Sequence, residues 1–144
     1  MSTETEYRLS LDPSELQMEV IHAFLSTSYW AQGLSREVVE KAIRHSLPVG
    51  AYAPDGAQVG FARLVTDYAR FGWVSDVFVL EPHRGRGLAG RMVRALLDTP
   101  GTCALKRVIL ATRDAHEVYR KCGFEPLSDP AMFMQRLPPG PGRP

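Results

Sequence analysis

The apolar run Val77-Phe78-Val79-Leu80 leads directly into Glu81-Pro82-His83-Arg84-Gly85-Arg86-Gly87-Leu88-Ala89-Gly90. Beyond it, Leu88, Met92, Val93, Leu96 and Leu97 recur at helical spacing. Across one glycine-rich turn the hydrophobic period changes from that of a strand to that of a helix. A helix fed by a strand in this way buries its apolar stripe against the sheet it left, which places the chain in the α/β class. The turn also sets a chemical expectation. The first turn of a helix leaves N–H groups unpaired and carries partial positive charge, and glycines let a bulky anion approach the main chain. With the local cations Arg84 and Arg86, residues 84–90 are a candidate diphosphate cradle. The plainer alternative is a solvated basic turn ahead of a helix.

The elements around this junction follow from pattern and punctuation. Residues 7–11 alternate like a short strand. Asp12-Pro13-Ser14-Glu15 then offers an N-cap, a proline suited to a first helical position and an acid placed to bond back. A helix is expected from there to about Ser28, with Leu16, Val20 and Phe24 on one face. Residues 35–45 predict a second helix carrying Val38, Val39, Ala42 and Ile43, ended by Pro48. The period then becomes that of strands: 49–53, a Pro54-Asp55-Gly56 turn and 59–66 read as an antiparallel hairpin. A further, central strand is expected over 73–80. Val108-Ile109-Leu110-Ala111 predicts a short buried strand, and a helix with Ala115, Val118, Tyr119 and Cys122 on one face closes on Gly123. Residues 133–137 are expected to form a last strand. The Pro/Gly-rich tail, 138–144, has too few donors and too little apolar surface to fold, so residues 1–137 are expected to form a single domain.

Composition narrows the function classes. Seventeen basic residues nearly balance sixteen acidic ones, a formal charge of +1, so no global field recruits nucleic acid or an anionic membrane. Cys103 and Cys122 form no CxxC pair and neighbour no ordered set of histidines, which argues against a metal site or a disulfide scaffold. The polar, acidic opening residues lack the pattern of a secretory signal, and no later stretch is long and apolar enough to span a bilayer. A cytoplasmic location is the expectation.

Gly85-x-Gly87-x-x-Gly90 also spells the dinucleotide-binding fingerprint. Against that reading, Glu81-Pro82-His83-Arg84 separates the strand from the first glycine, and hairpin signals precede the motif where βαβ repeats belong. A different resemblance spans more of the chain. Arg84-x-x-Gly87-x-Ala89 resembles the Q/R-x-x-G-x-G/A acyl-CoA motif of the GNAT superfamily of N-acyltransferases. Asp76-Val77-Phe78-Val79 resembles the family strand just before that motif, and Ala115-x-x-x-Tyr119-x-Lys121-x-Gly123-Phe124 resembles its A-x-x-x-Y-x-K-x-G-F segment. The three blocks fall in the family's order and spacing, over about residues 48–127.

The resemblance implies a mixed, mostly antiparallel sheet of about six or seven strands flanked by about four helices. It further implies an enzyme that transfers the acetyl group of acetyl-CoA to a primary amine, without a metal. Residues 84–90, including Gly85, Leu88 and Gly90, would then hold the pyrophosphate. The backbone of Val77, Phe78 and Val79 would bond the pantetheine arm and polarise the thioester carbonyl, with Thr112 and Ala115 completing the coenzyme site. Thr112 stands where many relatives of the family have asparagine, and by the resemblance its hydroxyl would replace part of that contact. A non-catalytic acyl-CoA sensor is the rival from another class.

Two side chains are candidates for the chemistry. An amine of pKa about 10.4 must lose a proton before attack near neutral pH. Asp76, which by alternation shares a strand face with Phe78 opposite Val77 and Val79, is the best-placed carboxylate for this; pairing with a cation is the other reading. Tyr119 matches the family tyrosine that protonates or hydrogen-bonds the departing sulfur, the alternative being a core tyrosine. For the acceptor, Tyr29, Trp30, Asp67, Tyr68 and Phe71 supply aromatic walls and a carboxylate suited to a cationic amine, although large aromatics such as Trp30 and Phe71 also serve as core. Asp114 is either a further acceptor contact or, with Glu117, a capping box. A small-molecule or peptide amine fits equally, and a homodimer is possible by family analogy.

Overall fold

The computed structural model describes residues 6–140; the first five residues and 141–144 of the tail lie outside it. Five strands form one sheet in sequential order: β1 (Arg8–Ser10), β2 (Leu47–Tyr52), β3 (Gln58–Thr66), β4 (Phe71–Val79) and β5 (Arg107–Ile109). Neighbours from β1 to β4 are antiparallel, and β5 joins β4 in parallel. Helices α1 (Met18–Leu25) and α2 (Arg36–Arg44) cover one face, while α3 (Leu88–Leu97) packs on the other with α4 (His116–Arg120) beside it.

Two clusters of apolar side chains separate along the pleat. Val49, Ala51, Ala62, Leu64 and Val74 meet Leu88, Met92, Val93 and Leu96 of α3. On the opposite face, Phe61 and Phe78 meet Ile21, Leu25, Val39 and Ile43 of α1 and α2. Helix α2 begins as its sequence indicates, with the Ser35 hydroxyl accepting the Val38 N–H at 3.2 Å.

Three expectations are revised. The helix expected from Asp12 is a 3-10 turn, Pro13–Glu15, capped by Asp12, and α1 starts only at Met18. The break has a cause: the Gln17 N–H donates to Gln58 Oε1 at 2.7 Å, and the Gln58 N–H donates to Gln17 Oε1 at 3.0 Å. This exchange ties the chain to β3 and holds Gln17 extended. Pro48 does not merely end α2 but sits inside β2, on the part that β1, which pairs from Gly50 to Tyr52, does not reach. Residues 133–137 are not a strand, so the described sheet has five strands rather than six or seven. Pro130 fixes a 3-10 turn up to Met132, Pro138 has no N–H, and the intervening segment runs exposed, with the Phe133 ring 4.9 Å beneath the Arg107 guanidinium.

Two irregularities in β4 position the site. Strand β5 pairs only with residues 71–73 of β4, so 74–79 have no strand partner on that side. On the other side the register slips: Arg63 faces Ser75 but Phe61 faces Phe78, which leaves one extra residue on β4. The bulge centres on Asp76, whose φ of +56° lies in the left-handed region. A non-glycine residue held there is strained, and its side chain and the following amide are re-aimed.

Candidate active site

The glycine-rich turn forms the floor of a groove of about 780 Å3. Gly87, with φ of +75°, is the residue preceding α3, and Gly85 has φ of +81°. Both conformations favour glycine, and a Cβ at either position would project into open space. No side chain caps α3 and no acidic residue occupies its first turn, in contrast to α2 with its Ser35 cap and Glu37. The positive end of α3 therefore opens on the groove without an internal anion. Arg84 folds back so that its Nε donates to the Val79 carbonyl at 2.8 Å, and Arg86 stacks 5.4 Å over the Tyr7 ring. His83, at the same lip, bonds the Tyr7 hydroxyl through Nδ1 at 2.7 Å. Arg84, Gly85 and Gly87 to Gly90 line the groove, and Arg86 does not.

The groove runs along Val77, Phe78 and Val79 to Ala115 and Tyr119, and there meets a second cleft of about 550 Å3. Tyr29, Trp30, Val77, Asp114, Ala115 and Tyr119 line both. The second cleft continues past Trp73, Ser75, Asp76, Thr112 and Arg113. The divergence of β4 from β5 is what lets the two spaces communicate.

Asp76 is held from two directions. Arg63 Nε donates to Oδ2 at 2.7 Å and Trp30 Nε1 donates to Oδ1 at 2.9 Å. The ion pair is mostly buried, with side-chain exposures of 15% for Arg63 and 12% for Asp76. Arg63 is fixed in turn by the hydroxyls of Ser46 at 2.9 Å and Ser75 at 3.4 Å. Asp76 thus lies on the Phe78 side of the sheet, as alternation suggests, but both Ser75 and Asp76 reach Arg63 because the bulge interrupts the strict alternation. Trp30 is set by Asp76 and by its neighbour Phe24, which stacks on Phe78 at 4.2 Å.

Tyr119 packs against the α3-side core and meets Phe124 edge-on at 6.1 Å. Burial, then the neighbouring Cys122, Tyr29 and Asp114, raise its hydroxyl from the usual 10 to about 12. The phenol is therefore neutral throughout the physiological range. An unfolded tyrosine ionises near 10, so the stability that the neutral phenol contributes below pH 10 is lost as pH climbs to 12. Urea midpoints measured across that interval should fall more steeply for the wild type than for Tyr119→Phe; parallel slopes would contradict the assignment.

The other candidates divide. Tyr29, Trp30 and Asp114 line the cleft, but Asp67, Tyr68 and Phe71 do not. The Asp67 carboxylate accepts the N–H groups of Arg70, Ala69 and Phe71, which lowers its pKa to about 2 and accounts for it as a turn residue. Tyr68 sits in the same turn with φ of +60°, and Phe71 begins β4 at the far end from Asp76. The capping box of Asp114 and Glu117 is not formed: Ala115 precedes α4 without a side-chain cap, its N–H goes to Thr112 Oγ1 at 3.1 Å, and Glu117 pairs with Arg120. Arg63, Trp73 and Arg113 were not singled out in the sequence. A lone arginine alternating with Val59 and Phe61 was the available signal for the first, since a charge on a buried strand face needs a partner.

This geometry can be set beside known proteins. Residues 46–124 match the model of the Acetyltransferase (GNAT) family. The acetyltransferase candidate FG08082 of Gibberella zeae is 31% identical over 139 residues, covering 83% of this chain and 78% of that protein. A crystal structure from Xanthomonas campestris pv. campestris, assigned to the GNAT family, superimposes with a TM-score of 0.87 at 42% identity, covering 93% of this chain and 94% of that one. The Escherichia coli GNAT-family N-acetyltransferase YhbS, solved in complex with CoA, shares the fold with a TM-score of 0.62 at 21% identity, over 83% of this chain and 67% of that one. The chain belongs to the GNAT acetyltransferase family and is an acyltransferase. The family uses acetyl-CoA. Among the described residues no helix is long and apolar enough to cross a membrane.

Proposed function

We propose that the protein transfers the acetyl group of acetyl-CoA to a primary amine, with the coenzyme in the glycine-floored groove and the acceptor in the cleft beyond Tyr119. The observation that carries this reading is the meeting of the two spaces at Val77, Ala115 and Tyr119, beside the stretch of β4 that β5 does not reach. The uncapped start of α3 receives the pyrophosphate, and the free edge of β4 offers main-chain groups to the pantetheine and the thioester carbonyl.

The neutral amine nitrogen attacks the carbonyl carbon, a C–N bond forms, and the C–S bond breaks to release the CoA thiolate. One proton leaves the nitrogen and one is finally taken up by sulfur. Both carboxylate oxygens of Asp76 already accept hydrogen bonds, from Arg63 and Trp30, so Asp76 orients the incoming ammonium and the ammonium proton leaves through water at the open cleft. Tyr119, at about 12, is a weaker acid than a thiol of about 8.5. It therefore steadies the departing sulfur by hydrogen bonding rather than by outright transfer of its proton.

Acetyl-CoA is expected to raise the melting temperature, NAD is not, and CoA release is expected with members of a primary-amine panel. Binding without release for every amine would instead point to an acyl-CoA sensor.

A further inference from the structure

Arg113 follows β5 at the wall of the acceptor cleft, and its placement is specific. Its guanidinium carbon lies 3.7 Å above the centre of the Tyr29 ring, and its main-chain N–H donates to the Tyr29 hydroxyl at 3.3 Å. A guanidinium held over an aromatic ring is attracted by the ring face without using up its N–H donors. Among the described residues this side chain makes no ion pair and no hydrogen bond of its own. Its neighbour Asp114 does not pair with it, and the other cleft carboxylate, Asp76, is already taken by Arg63. The cleft therefore carries a cation without an ion-pair partner, Arg113, on a wall it shares with Asp76 and Asp114.

From this we infer that the acceptor is an amine that also carries an oxyanion, a carboxylate or a phosphate, and that Arg113 receives that group while the amine points toward Asp76. A guanidinium fits an oxyanion in a bidentate way that a lysine ammonium does not. The cleft volume of about 550 Å3 is that of a small-molecule site. The inference rests on the acetyl-transfer reading, which locates the acceptor in this cleft.

The test uses the full chain loaded with CoA, so that binding is measured without turnover. Calorimetric titration with β-alanine and with 2-aminoethyl phosphate is compared with propylamine and ethanolamine, for the wild type, Arg113→Ala and Arg113→Lys. The wild type should bind at least one oxyanion-bearing amine roughly tenfold or more tightly than its neutral counterpart, and the better of the two probes identifies carboxylate or phosphate. Arg113→Ala should bring the pair to near parity, and Arg113→Lys should fall between. A wild-type ratio near one, or a ratio unchanged in Arg113→Ala, overturns the proposal. A retained acetyl-CoA-induced thermal shift identifies the variants as folded. If the preference is found but no amine releases CoA, the transfer reading fails while the oxyanion assignment stands.

Discussion

Tyr119→Phe is expected to lower kcat by about a hundredfold while leaving the dissociation constant for acetyl-CoA within roughly a factor of three, on the scale of one modest hydrogen bond. The substitution removes only the hydroxyl. The ring keeps its edge contact with Phe124 and its place against the α3-side core, so the variant should melt close to the wild type at neutral pH. A tyrosine serving only as core would show little change in turnover. Because the hydroxyl is neutral up to about 12, the loss should be nearly constant from pH 6 to 10. Rapid-quench measurement of acetyl transfer, set beside calorimetric binding, separates the two constants. A kcat within twofold of the wild type would remove Tyr119 from the chemistry.

The fold was legible wherever one local rule acted alone. The period change across residues 77–97 located β4, the glycine-rich turn and α3, and Ser35 located the start of α2, because capping and periodicity depend on neighbours in sequence. Elements settled by distant contacts were less legible. Gln17 interrupts the first helix because its partner is Gln58, and nothing within residues 12–28 reveals that exchange. The pattern of residues 133–137 suggested a strand, yet alternation specifies a face and not a neighbour to pair with. The same distinction separates the acceptor candidates. Asp67 has the composition of a binding residue, but three local N–H groups take its carboxylate. Arg113 has no distinguishing sequence context and is set by Tyr29, which lies in a connector far away in sequence.

The bulge at Asp76 links fold and site most tightly, and a double substitution can separate its two roles. Arg63→Met removes the guanidinium and leaves Asp76 with the indole of Trp30 as its remaining donor in a mostly buried position. An uncompensated buried charge of this kind should cost about 3 kcal/mol, or roughly 10 °C in melting temperature for a domain of this size. Asp76→Asn strands the arginine instead, though Ser46 and Ser75 still accept from it, so its cost should be smaller. Combining Arg63→Met with Asp76→Asn removes both charges and should recover most of the stability lost by Arg63→Met, since a buried pair adds little over a well-packed neutral replacement. Activity should not follow. If Asp76 orients the amine, kcat/KM stays depressed by about ten- to a hundredfold in both Asp76→Asn and the double variant. Were activity instead to return with stability, Asp76 would be a partner for Arg63 and nothing more, and the strained φ of +56° would serve the register of β3 and β4 rather than the acceptor.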